Sequence, residues 1–137
     1  MAYWLLKTEA ETWSWAMQVK KGARGEAWSG VRNHQAKNNL MKMKLGDRAL
    51  FYHSGNDKEV VGIVEVTREA YADPTDPTGR FVAVTVKAVA PLKKPVTLAA
   101  AKAETRLKDM VLVNNSRLSV QPVTSTEWKV ICAMGGM

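Results

Sequence analysis

The chain has 137 residues, 46% of them hydrophobic and 24% charged, which suits one domain (residues 1–137) with a core of its own. Lys and Arg number 20 against 13 Asp and Glu, and the resulting charge of +7 favours polyanionic partners, nucleic acid ahead of an anionic membrane. Cys132 is the single cysteine, which excludes an internal disulfide framework and fits a reducing, cytoplasmic setting.

The first residues, "MAYWLLKTEAE", lack the pattern of a secretion signal, and no apolar run is long enough to cross a bilayer, so no membrane role is expected. Within them "AYWLLKT" (2–8) reads as a buried strand. "ETWSWAMQVKKG" reads as a short helix ending near Gly22, and "KKGARGE" as a basic loop leading to Trp28. Ser29 is the expected N-cap of a helix running to about Met43, with Arg32 where a capping box needs Glu or Gln, and with Ala36, Leu40 and Met43 facing the core. Gly46-Asp47 marks a turn.

"RALFYHS" (48–54) reads as a strand with Ala49, Phe51 and His53 on one side and Leu50, Tyr52 and Ser54 on the other. After the turn "GNDKE" comes a second strand, 60–71, whose Gly62 permits a bulge. A proline-rich loop, "ADPTDPTGR", leads to a third strand, 81–89, which alternates cleanly. Thr97 precedes an alanine-rich helix, and "LKDMVLVNN" reads as a helical turn or irregular segment. In "RLSVQP" (117–122) alternation sets Arg117, Ser119 and Gln121 opposite Leu118 and Val120. Thr124-x-x-Glu127 is a capping box opening a last helix that places Trp128, Ile131 and Cys132 on one face. Three strands in succession between helical segments predict a compact α+β domain around a mostly antiparallel curled sheet or small barrel.

Several chemistries find no support. The chain has no GxxxxGK[ST], no GxGxxG after a strand and no GxSxG elbow, and two histidines with one cysteine make no conventional zinc site. No cofactor, metal or catalytic set is expected. What remains is "AWSGVRNHQAKNNL", where a tryptophan stands beside cations and amides. Trp28 is either core or the wall of a pocket, where its face can stack a base. Asn33 presents a donor and an acceptor together, the pairing that reads a base edge, or else caps backbone locally. Arg32, Lys37, Lys42 and Lys44 supply counter-charge for a phosphate backbone. Trp4, Trp13, Trp15 and Trp128 read as core.

The segments "YWLLKTE", "WSGVRNHQAKNNLMKMKLGD", "YHS", "VGIVEV", "YADPTDP" and "SRLSVQPVTSTEW", in this order, closely resemble the EVE domain family, which includes thymocyte nuclear protein-like bacterial proteins of one domain. The resemblance runs from Tyr3 to about Ile131. It implies a PUA-like fold, a small curled β-barrel flanked by helices and related to the YTH readers of methylated adenine. It also implies recognition of a nucleobase, modified cytosine above others, in DNA or RNA. Carried over, it puts Lys7 and Thr8 of the first strand at the pocket, with Trp28, Ser29 and Asn33 as wall and edge-reading groups beside the candidate Arg32. Tyr52, His53 and Ser54 come from the barrel strand, Tyr71 and Asp73 from the loop over the opening, and Arg117 and Ser119 from the late strand. Ala10 stands where the family has proline, and His34 and Lys37 where Tyr and Arg are common.

The reading is therefore a non-catalytic binder of an exposed modified base, expected as a monomer. Its rivals are an RNA-cleaving enzyme using Lys7, Tyr52 and His53, and a protein-interaction module whose charge serves solubility.

Overall fold

In a computed structural model that describes residues 1–115 and 117–137, the hydrophobic runs become six strands and five short helices. The strands are β1 (Tyr3–Glu9), β2 (Glu26–Ala27), β3 (Arg48–Ser54), β4 (Glu59–Ala72), β5 (Val82–Thr97) and β6 (Val120–Val123). The helices are α1 (Trp15–Lys20), α2 (His34–Lys42), α3 (Leu98–Ala103), α4 (Val111–Asn114) and α5 (Ser125–Met134). All six strands lie in one sheet in the order β2-β5-β4-β3-β1-β6. The α+β expectation holds, and the expected small barrel is a sheet that curls without closing, so β2 and β6 remain as edges. The β1–β3 pair is parallel and the other pairs are antiparallel.

Alternation along β1 and β3 explains why both read as nearly unbroken apolar runs. Trp4 and Leu6 join Ala49, Phe51, Leu40 and Val84 in one core, while Leu5 joins Leu50, Tyr52, Leu107 and Ile131 in a second core on the opposite face. A strand covered on both sides has no polar face to show. Each such Leu or Phe, wholly removed from water, contributes about 1.5–3 kcal/mol before entropic costs.

The bulge expected near Gly62 falls beside it, at Val61, which both ladders skip between Val60 and Gly62. The register of β4 shifts there against both β3 and β5, opposite the Phe51–Tyr52 step. The ring of Trp15 fills the space beside Gly62, and a Cβ there would stand 2.5 Å from it. β5 runs further than the alternation of 81–89 shows, continuing through Pro91 and Pro95 to Thr97. Prolines have no N–H to give the ladder. Beyond Pro91 the strand is held from other quarters, with Lys94 N–H donating to the Gly135 carbonyl and Val96 paired to Val60.

The largest departure is the start of α2. The helix begins at His34, not after Ser29, and its N-cap is Asn33, whose Oδ1 accepts the Ala36 N–H at 2.9 Å. Gly30 at φ +83° breaks any earlier helical turn, and residues 28–32 instead run as an irregular segment over the end of the sheet. The late strand is also shorter than 117–122, since β6 begins at Val120. Thr124 and Glu127 form the expected capping box of α5. No described helix is long and apolar enough to cross a membrane.

Candidate functional site

Beside the edge strand β2 the irregular segment encloses a cavity of about 400 Å³. That volume lies in the range of small-molecule and cofactor sites, roughly 300–1,000 Å³. One wall is the run from Glu26 to Asn33, with Trp28 at its centre. Facing it are Lys7 and Thr8 from the end of β1, Thr12 and Trp13 from the turn after it, and Ser119 from the approach to β6.

Trp28 satisfies both readings of its sequence context. Its indole meets the Phe51 ring edge-on at 5.6 Å and 85°, only 7% of the residue stays accessible, and it lines the cavity. Its backbone N–H donates to the Val84 carbonyl at 2.7 Å, which extends the β2–β5 pairing past Ala27 and fixes the ring against the sheet.

Trp13 is half-buried; it packs against the first core as its sequence context suggests, and it is also a second wall of the cavity. Its Nε1–H donates to Gln18 Oε1 at 2.9 Å, and Gln18, with no exposed surface, donates from Nε2 to the Val86 carbonyl at 3.0 Å. Thr8 Oγ1 donates to the Trp13 carbonyl at 3.1 Å. The indole is therefore held from both its ring and its backbone.

The rim is tied down by Asp73, which is 2% exposed. Its Oδ2 accepts from the Gly30 N–H at 2.8 Å and from Arg32 Nη1 at 3.0 Å, while Oδ1 accepts from the N–H and hydroxyl of Thr75 at 2.7 Å each. Burial pulls the Asp73 carboxyl upward, but the hydrogen bonds from Thr75, Gly30 and Arg32 outweigh it and hold the group below its ordinary value. Arg32 also donates to Thr75 Oγ1 at 3.0 Å and lies 5.4 Å from the Phe81 ring centre, so its charge is partly committed before any ligand arrives.

Of the residues proposed from sequence, the cavity gathers Lys7, Thr8, Trp28, Ser29, Arg32, Asn33 and Ser119. Asn33 arrives with its carbonyl oxygen already used as the α2 cap, which leaves its NH₂ as the polar group on offer. The others stand elsewhere. Tyr52 is 2% exposed in the second core, where Lys7 Nζ sits 5.3 Å from its ring centre; burial raises the phenol and lowers the ammonium. His53 Nε2 accepts the Trp15 N–H at 3.0 Å, so it holds the start of α1 together with the N-cap Ser14, whose hydroxyl accepts the Met17 N–H at 3.2 Å. Ser54 ends β3 beside Glu9. Tyr71 shares a 2.8 Å hydrogen bond with Thr85 under the Arg68 guanidinium. Asp73 acts behind the rim, and Arg117 is exposed on the turn before β6.

Glu26 and Thr12 are lining residues that sequence reasoning passed over. Glu26 did carry a signal, as the one acid in the basic run "KKGARGEAW". Among the described residues no three His, Cys, Asp or Glu side chains gather in a way that would hold a metal ion.

Comparison with known proteins places this geometry. The EVE domain matches residues 2–134. A Rhodopseudomonas palustris protein solved by NMR is 63% identical, with 99% of this chain and 94% of that one covered and a TM-score of 0.94. The human THYN1 protein, crystallised in complex with 5-methylcytosine-containing DNA, is 29% identical over 100% of this chain and 99% of that one, with a TM-score of 0.92. A YTH domain from Zygosaccharomyces rouxii shares the fold at 20% identity and a TM-score of 0.61, covering 98% of this chain and 86% of that one.

Proposed function

The chain belongs to the EVE domain family, and we propose that it is a non-catalytic reader that admits an exposed, modified base of DNA or RNA, a modified cytosine above others, into the cavity beside Trp28. The observation that carries this reading is a cavity of about 400 Å³ walled by two indoles and rimmed by hydroxyl, amide and backbone groups, in a chain of charge +7. The DNA complex of the human relative supports the same reading.

Extruding a base costs a few kcal/mol from a duplex and less from a single strand. Contact with an aromatic side chain returns about 1–3 kcal/mol per base. A methyl group that fills apolar space beside Trp28 adds roughly 0.8 kcal/mol when fully buried. Affinity then comes mostly from cations on the phosphate backbone, and selectivity from the cavity. The reading keeps the protein in a reducing, cytoplasmic setting, in keeping with a half-buried Cys132 whose thiol is raised by burial. RNA cleavage has less to rest on, because the His53 imidazole is engaged with the Trp15 N–H and lies outside the cavity.

The test is a titration with a panel of modified and unmodified nucleosides, followed through the indole N–H resonances of the labelled protein. Shifts at Trp13 and Trp28 that are largest for one modified base support the reading. Uniform insensitivity of both indoles refutes it.

A further inference from the structure

A cavity that fits 5-methylcytosine by shape fits thymine as well. The two bases carry the same methyl group and differ on the edge beside it, where cytosine has an amino donor and thymine a carbonyl acceptor. Telling them apart needs a protein group that accepts a hydrogen bond and cannot donate one.

Most polar side chains in the cavity fail that requirement. The hydroxyls of Thr8, Ser29 and Ser119 both donate and accept. Asn33 carries an NH₂ beside an oxygen already engaged by the Ala36 N–H, so it too can donate. Glu26 is the one carboxylate among the lining residues, and an ionised carboxylate is acceptor-only.

Its placement suits the task. Glu26 pairs with Val86 and Ala27 with Thr85, and the Trp28 N–H continues that ladder to Val84. Two residues apart on one extended run, Glu26 and Trp28 therefore share a side of the strand, the side on which Val84 and Val86 enter the core. The Glu26 side chain is 35% exposed, and among the described residues no hydrogen bond reaches its carboxylate. Lys21 Nζ lies 3.6 Å from Oε1, with 34% of its own side chain exposed. An ion pair so open to water contributes little, and exchanging it for an amino group inside the cavity sacrifices little.

We propose that Glu26 selects bases bearing an exocyclic amino group, so that the cavity takes an aminopyrimidine such as 5-methylcytosine and refuses thymine. This rests on the base-reading function proposed above. Three single-stranded DNA oligonucleotides that differ only at one central position, carrying 5-methylcytosine, thymine or an abasic site, are titrated by fluorescence anisotropy against wild type, Glu26→Gln and Glu26→Ala. Wild type is expected to prefer 5-methylcytosine over thymine by about ten- to hundredfold, the scale of one charged hydrogen bond against an unmet acceptor.

In Glu26→Gln, whose amide donates as well as accepts, the ratio is expected to fall to within about threefold of unity. In Glu26→Ala, 5-methylcytosine is expected to lose affinity while thymine keeps its own. Thermal melting of both variants, expected to match wild type at so exposed a position, checks that the fold is kept. A Glu26→Gln protein that keeps the wild-type ratio overturns the assignment and leaves the base reader standing. A wild type that binds all three oligonucleotides alike removes the reader itself, and the assignment with it.

Discussion

The guanidinium of Arg32 and the carboxylate of Asp73 meet at 3.0 Å across 41 residues of sequence, joining the rim of the cavity to the loop between β4 and β5. The same carboxylate oxygen takes the Gly30 N–H, so one buried side chain fixes both the turn and the cation of that rim. Asp73→Ala leaves a backbone donor and a guanidinium without their acceptor. We expect a loss of about 1–3 kcal/mol in thermal or urea unfolding, together with weakened base binding from a loosened rim. Unchanged stability would show that the rim holds itself.

Acid should release the same loop. The Asp73 carboxyl is held below its ordinary value, and Asp76, which accepts from the Thr78 hydroxyl and from the N–H groups of Thr78, Arg80 and Phe81, is lowered to about 2. Both groups are therefore ionised in the folded chain at pH values where the unfolded chain has already bound protons. Their contribution is complete above the unfolded carboxylate value, about 4, and is lost as pH falls through the folded values. Unfolding followed between pH 5 and pH 2 should show stability falling with pH in wild type, and a shallower fall in Asp73→Asn/Asp76→Asn.

Asn33 carries two roles that substitution separates. Asn33→Ala removes the α2 cap and is expected to cost about 1 kcal/mol. Asn33→Ser keeps an oxygen for the Ala36 N–H but removes the NH₂ from the cavity, so stability should stay near wild type while base affinity falls. Equal affinity in Asn33→Ser and wild type would reduce Asn33 to a cap alone.

The two indoles should also part company. Trp28 is 7% exposed and packed edge-on against Phe51, so Trp28→Ala opens a hole in the core worth about 3–5 kcal/mol. Trp13 is half-buried, and its loss mainly removes cavity wall. Trp13→Ala is expected to weaken oligonucleotide binding by about 1–3 kcal/mol while melting well above Trp28→Ala. Calorimetry and anisotropy on the same preparations read both quantities.

How much of this was legible depends on how local the cause is. β3 and the α5 capping box could be read because alternation and a four-residue motif suffice for them. The bulge beside Gly62 was visible as a glycine inside a strand pattern, although the Trp15 ring packed against that glycine was not. The start of α2 was misread because Ser29 looks like a cap until Gly30 turns left-handed and gives its N–H to Asp73, 43 residues away. β2 is two residues long and exists through its pairing with Val86 and Thr85, so no periodicity announces it. Trp13 read as core, and its second role as wall was hidden, because an aromatic residue that is half core and half wall has no distinct sequence pattern. The family motifs drew in Tyr52, His53 and Tyr71, which the fold spends on the second core, the α1 start and β5.

The parallel neighbour of β3 has a consequence for how the protein comes into being. Because β1 lies between β3 and β6, the Lys7 N–H is met by the Ser119 carbonyl, and a cavity otherwise lined by residues 7–33 takes one lining residue, Ser119, from far along the chain. A polypeptide still emerging from the ribosome displays most of its cations long before residue 119 is free to dock. Until it docks, β1 lacks one of its two neighbours and the cavity lacks the part of its lining that Ser119 supplies.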